Sequence, residues 1–191
     1  MAEVLRLMQP LAISTATHDE LPIVMEIVDE AAKWLLARGI PQWETPPPSE
    51  AWESMREHIR AGLVYLVREQ GAPDAIGTFR LEWHGGALWP EDRQDAGYLY
   101  TLALRPCHVG SGLGVVVIDW VKDFFRERGK RYFRLDCISS NERLRRWYEG
   151  LGFQYRRTSV DGTYVLALFE LDLRATVSGW VKRAAGAGSR C

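Results

Sequence analysis

The sequence predicts one α/β (or α+β) domain organised around a single mixed sheet. Two observations predict it. Runs with strand character and runs with helical periodicity follow one another in the order β-α-α-β-β-β-α-β-α-β-β, with glycines and prolines mostly between them. No repeat and no linker divides the 191 residues, a length suited to one domain. The expected domain spans 1–173, followed by a tail, 174–191, in which Val177, Trp180 and Val181 can dock one amphipathic turn.

Residues 11–15 (LAIST) read as a short strand. Asp19 is the expected cap of the first helix, with Pro22 tolerated in its first turn. Ile23, Ile27, Ala31, Trp34 and Leu35 recur at helical spacing as its core stripe, and Gly39 stops it. The loop GIPQWETPPPSE carries four of the nine prolines. A second helix starts at the cap Ser49 and runs to about Arg60 on the stripe Trp52, Met55, Ile59. Residues 63–69 and 75–83 read as two strands joined by a turn with Gly71 and Pro73. A loop over 84–97 leads to an aromatic strand, 98–104, which Pro106 ends.

A helix is expected over about 112–128, with Leu113, Val116, Val117, Trp120, Val121 and Phe124 on its apolar side and Gly129 as its stop. Residues 131–138 form the next strand, and Ser140 or Asn141 caps a helix to Gly150. A last antiparallel pair turns at Asp161-Gly162.

Composition excludes several classes. Hydrophobic residues at 47% suffice for a buried core. A net charge of −1 supplies no field toward nucleic acid or an anionic membrane. The basic clusters Arg126, Arg128, Lys130, Arg131, Arg134 and Arg143, Arg145, Arg146 read as solvated ends and faces. Cys107, Cys137 and Cys191 match neither a disulfide framework nor a metal-ligand spacing, so no metal is expected. The opening segment has no long apolar core, and no run spans a bilayer, so the expected compartment is the cytoplasm.

Two motifs carry chemistry. The first is strand, then His108-Val109-Gly110-Ser111-Gly112-Leu113-Gly114, then helix. Glycines let backbone approach a ligand, and a helix start offers unpaired N–H groups and partial positive charge, together a diphosphate site. No Lys follows for a P-loop, and the third glycine comes one residue early for the dinucleotide fingerprint, which disfavours a nucleotide oxidoreductase. The second is Asn141-Glu142-Arg143-Leu144-Arg145-Arg146-Trp147-Tyr148-Glu149-Gly150-Leu151-Gly152-Phe153, where Asn141, Leu144 and Tyr148 share a helix face.

With Leu102-Ala103-Leu104-Arg105-Pro106 ahead of the glycines, the two motifs resemble the GNAT superfamily of acyl-CoA-dependent N-acyltransferases over roughly residues 11–173. The resemblance implies a mixed, mostly antiparallel, splayed central sheet flanked by helices, with acetyl-CoA (coenzyme A) entering the gap. It implies that backbone groups of Leu102, Ala103 and Leu104 pair with the pantetheine arm. The segment His108, Val109, Gly110, Ser111, Gly112, Leu113, Gly114 and Val115 would hold the pyrophosphate, and Asn141 and Leu144 would line the pantetheine. Tyr148 would reach the sulfur. The family usually has Arg or Gln where Val109 stands, so one side-chain contact is missing and His108 is the neighbour placed to compensate.

The chemistry also follows from the residues. An amine attacking a thioester develops an oxyanion, which wants a preorganised N–H, and a thiolate, which wants a proton. A phenol of pKa about 10 beside a thiol of about 8.5 suits Tyr148 as general acid. No acid lies within 98–104, where many relatives carry a glutamate base; Glu82, Glu44 and His58 are the candidates, Glu82 foremost. Trp34, Gln42, Trp43 and Glu44 are the expected acceptor wall. The implied activity is acetyl transfer to a primary amine, on a small molecule or a peptide, by direct attack in a ternary complex. The alternative is an acyl-CoA-sensing module without turnover. A monomer or homodimer is expected.

Overall fold

The computed structural model describes residues 10–91 and 94–174. Seven strands form a mixed, mostly antiparallel sheet in the order β1-β2-β3-β4-β5-β7-β6: β1 (Leu11–Thr15), β2 (Val64–Glu69), β3 (Ala75–Glu82), β4 (Ala96–Leu104), β5 (Tyr132–Ile138), β6 (Gln154–Asp161) and β7 (Tyr164–Asp172). Four helices accompany them: α1 (Leu21–Leu36), α2 (Ser49–Arg60), α3 (Leu113–Glu127) and α4 (Glu142–Gly150). The described chain falls into two compact units. The first holds residues up to Leu81 together with Tyr100–Ser111, and the second holds Glu82–Leu99 and everything from Gly112. The expected tail after Arg174 and the opening segment before Pro10 lie outside the described residues.

In the first unit, β1 and β2 pair antiparallel from Leu11↔Glu69 to Thr15↔Tyr65, and β2 pairs β3 with Tyr65 opposite Phe79, whose rings stack at 5.2 Å. The opposite face, with Val64 and Leu66, is covered by Val24, Ile27, Val28 and Ala31 of α1 and by Met55 and Ile59 of α2. The cap of the first helix differs from expectation. Thr17 and Glu20 form a reciprocal capping box around a 3-10 turn, and Asp19 is not the cap. That turn moves the start of α1 to Leu21, and the buried face takes in Met25 and Val28 while Trp34 and Leu35 are half-buried. Ser49 is the first helical residue, and Pro48 is the N-cap.

In the second unit, β4 and β5 run parallel, and their pairing covers only Ala96↔Tyr132 to Leu99↔Leu135. β5 meanwhile stays paired with β7 as far as Ile138↔Leu166. Phe125 of α3 meets Phe133 edge-on at 5.2 Å, and Phe133 meets Phe153 at 4.9 Å. A Cβ at Gly97 would fall 2.4 Å from the Phe125 ring, so helix α3 sits on a strand position that only glycine fits.

The buried face of α3 is Val117, Ile118, Val121 and Phe125. Val116 is exposed, and Trp120 and Phe124 are half-buried in an aromatic stack. The expected stripe was rotated because α3 is apolar around most of its circumference, and periodicity cannot choose a face there. Gly162 takes φ +57 in the two-residue turn Gly162-Thr163 that joins Asp161 to its partner Tyr164, one residue later than the expected Asp161-Gly162 pair.

Candidate active site

The first unit holds the end of β4 and the turn after it. Thr101 takes φ +52 in mid-strand, a region that β-branched residues avoid, at a cost of about 1–3 kcal/mol. This interrupts regular alternation one residue before Leu102. Ala103 enters the core, and Leu104 lies so close to Gly77 that a Cβ there would meet its Cδ2 at 2.5 Å. Arg105 then anchors the strand end: Nε donates to the Ala75 carbonyl at 2.9 Å, and Nη1 donates to Glu26 and Glu30 on α1.

The turn spends part of its donor set on itself. The N–H of Val109 donates to Pro106, and Ser111 donates to the His108 carbonyl through both N–H and hydroxyl. Gly110 takes φ +85, and its N–H has no protein partner among the described residues. Val109 is exposed, and His108 is half-buried.

The residues expected to wall an acceptor also lie in this unit. Trp43 packs against the core of α1 and α2, the Gln42 side-chain oxygen is buried with no hydrogen-bond partner among the described residues, and Glu44 is exposed. Trp34 is half-buried, and the Arg38 guanidinium stacks on it at 3.7 Å. The loop is tied to α1 where the Thr45 hydroxyl donates to Asp29 at 2.6 Å, and Lys33 pairs with the same carboxylate. Those two contacts hold Asp29 below the usual carboxylate range, Lys33 contributing most. A depressed value means that this stabilisation is complete above the unfolded value near 4 and disappears as pH falls below it. Wild type is therefore expected to lose its thermal advantage over Asp29→Asn as pH falls below about 4. Melting curves across that range check it; a constant difference would show that Asp29 does not titrate into the tie.

The second unit holds the starts of α3 and α4. Gly112 is the N-cap of α3 at φ +91. Its carbonyl accepts from Val115, and the amides of Gly112 and Gly114 have no protein partner among the described residues. Leu113, between them, is half-buried. Trp147 of α4 overlies this start: a Cβ on Gly114 would stand 3.2 Å from its ring. Asn141 is buried and caps α4, its Oδ1 accepting from the Leu144 N–H at 3.1 Å, which leaves Nδ2 for another acceptor.

Tyr148 is 5% exposed, with Trp147, Phe153 and Phe169 around its ring at 5.1 to 5.8 Å. Burial pushes its phenol well above the ordinary range, with Cys137 and Asp136 adding to the effect. Burial likewise pushes the Cys137 thiol up to about 12, so it is a neutral wall. Glu82, the last residue of β3, is half-buried in this unit.

A profile of the acetyltransferase (GNAT) family matches residues 28–153, more than half of the chain. The chain belongs to the GNAT acetyltransferase family. It is 24% identical over 164 residues to the uncharacterized N-acetyltransferase YesJ of Bacillus subtilis (strain 168), covering 84% of this chain and 89% of that one. Its fold is similar to a GNAT-family acetyltransferase structure from Listeria monocytogenes 4b F2365, at a TM-score of 0.68 and 21% identity over 85% of this chain and 94% of that one. It is also similar to the PaiA N-acetyltransferase of Thermoplasma acidophilum in complex with coenzyme A, at a TM-score of 0.62 and 17% identity over 85% of this chain and 99% of that one.

Within this GNAT chain, sequence reasoning did not single out Thr101, Trp147 or Asp29. Threonine is a poor sign of a left-handed residue, so Thr101 had no signal. Trp147 was visible as a neighbour of Tyr148, but its place over Gly114 depends on how α3 and α4 pack. Asp29 and Lys33 stand four apart, a spacing that fits a helical ion pair and gives no sign of a loop anchor.

Proposed function

We propose that this protein binds acetyl-CoA and transfers its acetyl group to a primary amine by direct attack in a ternary complex. The observation that carries the proposal lies in the second unit. The left-handed Gly112 opens α3 with two unpartnered amides, and the adjoining helix α4 carries a buried, proton-bearing Tyr148. The amides and the positive end of α3 fit a diphosphate. Asn141 Nδ2 fits an amide-bearing arm.

Acetyl-CoA, when bound, supplies a thioester to the amine. The protein's part is to orient, to stabilise charge and to move one proton. The Tyr148 Oη holds its proton at any ordinary pH and delivers it to the departing sulfur. In the first unit, the main chain of Leu102, Ala103 and Leu104 would pair with the pantetheine arm. The turn His108 to Ser111 would support the phosphates, with the Gly110 amide as its free donor. Thr101 would aim an adjacent N–H at the developing oxyanion. Glu82 is proposed as the base that takes the amine's proton.

The test is a melting experiment followed by turnover. Ligand at 100 times its dissociation constant adds about 2.7 kcal/mol, a shift of roughly 5–10 °C for a chain of this size. No shift with acetyl-CoA or longer acyl-CoAs would overturn the proposal. Thiol release is then followed over polyamines, aminoglycosides, amino acids and peptide N-termini. Binding without release for any amine would favour an acyl-CoA-sensing module.

The loop 40–49, with Trp43 and Glu44, is proposed as the acceptor wall, together with Trp34 and Gln42. Its prolines and its Asp29 tie make it semi-rigid, and Glu44 would steer a cationic amine. Trp43→Ala is expected to raise the acceptor KM much more than the acetyl-CoA KM, and Glu44→Gln to do so more weakly. A change confined to melting temperature would make the loop a packing device.

A further inference from the structure

The second unit contains a pocket unrelated to the glycine turn, with a volume of about 390 Å³. Strand alternation separates it from Tyr148. Phe133 and Phe169 face the aromatic cluster around α4, so Arg134 and Glu170, their neighbours on β5 and β7, point to the other face. Arg134 and Glu170 are directly paired in the β5–β7 register and lie 4% and 9% exposed. Arg134 Nε donates to Glu170 at 2.8 Å, Nη1 donates to the Tyr98 hydroxyl at 2.9 Å, and Nη2 has no partner among the described residues.

A register shift between Tyr155 and Arg157 brings two consecutive arginines of β6 to this pocket. Arg156 shares Glu170, while Arg157 pairs with Glu91 and donates to the Leu88 carbonyl. The guanidiniums of Arg134 and Arg157 lie over the Trp89 ring, 4.4 and 5.2 Å from its centre. Trp89 is 1% exposed, and its indole N–H is buried with no partner among the described residues.

Among the described residues, three guanidiniums thus line the pocket with two carboxylates, a surplus of one positive charge. The donors without an acceptor among them are Arg134 Nη2, which is not fully buried, and the Trp89 N–H, which is. A buried donor without an acceptor is costly, and an anion in the pocket supplies one and offsets the surplus charge. We propose that this pocket binds a small anion, a carboxylate or a phosphate, held by Arg134, Arg156 and the Trp89 indole N–H. Arg134 is not the solvated charge that its basic neighbours suggest: the alternation of β5 buries it, and Glu170 opposite makes that tolerable.

The test uses the full chain, nitrogen-15 labelled, and follows indole N–H signals; that of Trp89 is identified by its loss in Trp89→Phe. Succinate and inorganic phosphate are titrated separately. The expected result is a saturable shift of the Trp89 signal at millimolar or lower concentration of at least one probe. Which probe saturates decides between carboxylate and phosphate. Arg156→Gln, at a half-exposed position, is expected to weaken binding about tenfold or more with the rest of the spectrum retained. Non-saturating shifts with both probes, or wild-type affinity in Arg156→Gln, would overturn the proposal. Phosphate binding at the glycine turn moves other signals and leaves that of Trp89 in place, so the outcome is independent of acetyl-CoA binding.

Discussion

Replacing Tyr148 with phenylalanine is expected to lower turnover roughly 10²–10⁴-fold at saturating substrates, with acetyl-CoA affinity little changed. The substitution removes one oxygen. Phenylalanine keeps the ring contacts with Trp147, Phe153 and Phe169, so the fold should survive. What disappears is the proton donor for the leaving thiolate.

The same burial makes a pH prediction. Because burial raises the phenol above its ordinary value of about 10, Tyr148 stays protonated across the assay range. The pH profile of turnover should therefore show no descending limb from this group below about pH 10. For stability the sign is that of a raised value. The contribution is complete below about 10 and is lost as pH climbs toward the folded value. Unchanged turnover in Tyr148→Phe would return the residue to a packing role.

Gly112→Asp is expected to abolish the thermal shift produced by acetyl-CoA while leaving a folded protein. No atom lies within 4 Å of a Cβ built there, so the variant fails by no clash. The φ of +91 costs a side-chain-bearing residue about 1–2 kcal/mol, but an aspartate at an N-cap returns part of that by capping α3. Binding meets a different obstacle. A carboxylate about 4 Å from a phosphate costs about 4 kcal/mol at an effective dielectric constant of 20, close to a thousandfold in affinity. Gly112→Asn has nearly the same shape and tolerates the left-handed region, and it should keep part of the shift. Equal loss in both variants would assign the effect to shape; equal retention would make the glycine turn purely structural.

The element order was legible because each run carried its own period and its own stop signal. Gly129 and Gly162 both take positive φ where the chain was expected to turn, and of the two expected caps, Ser140 and Asn141, it is Asn141 that caps its helix, through Leu144. The errors were of two kinds. Caps were assigned one or two residues off, at Asp19 and Ser49, because several short polar residues stood within one turn of each other. Faces were assigned wrongly where a segment was apolar over most of its circumference, as on α3.

The candidate site divides in the same way. Gly110, Gly112 and Gly114 stood out in the sequence because their spacing is local, and Gly110 and Gly112 take the positive φ that glycine tolerates. Which amides stay free was not legible: Val109 and Ser111 spend theirs on Pro106 and His108, and only the folded turn shows it.

The sequence by itself determined the order of elements, the stops, the glycine-opened helix and the Asn141–Tyr148 face, because each depends on residues within a few turns of one another. The tertiary structure decided the left-handed Thr101, the raised phenol of Tyr148, the tie from Asp29 to Thr45 and the burial of Arg134 against Glu170. Each of these rests on desolvation or on partners brought together by packing. Arg134 and Glu170 stand 36 residues apart in the chain, a separation at which local pattern carries no information about contact.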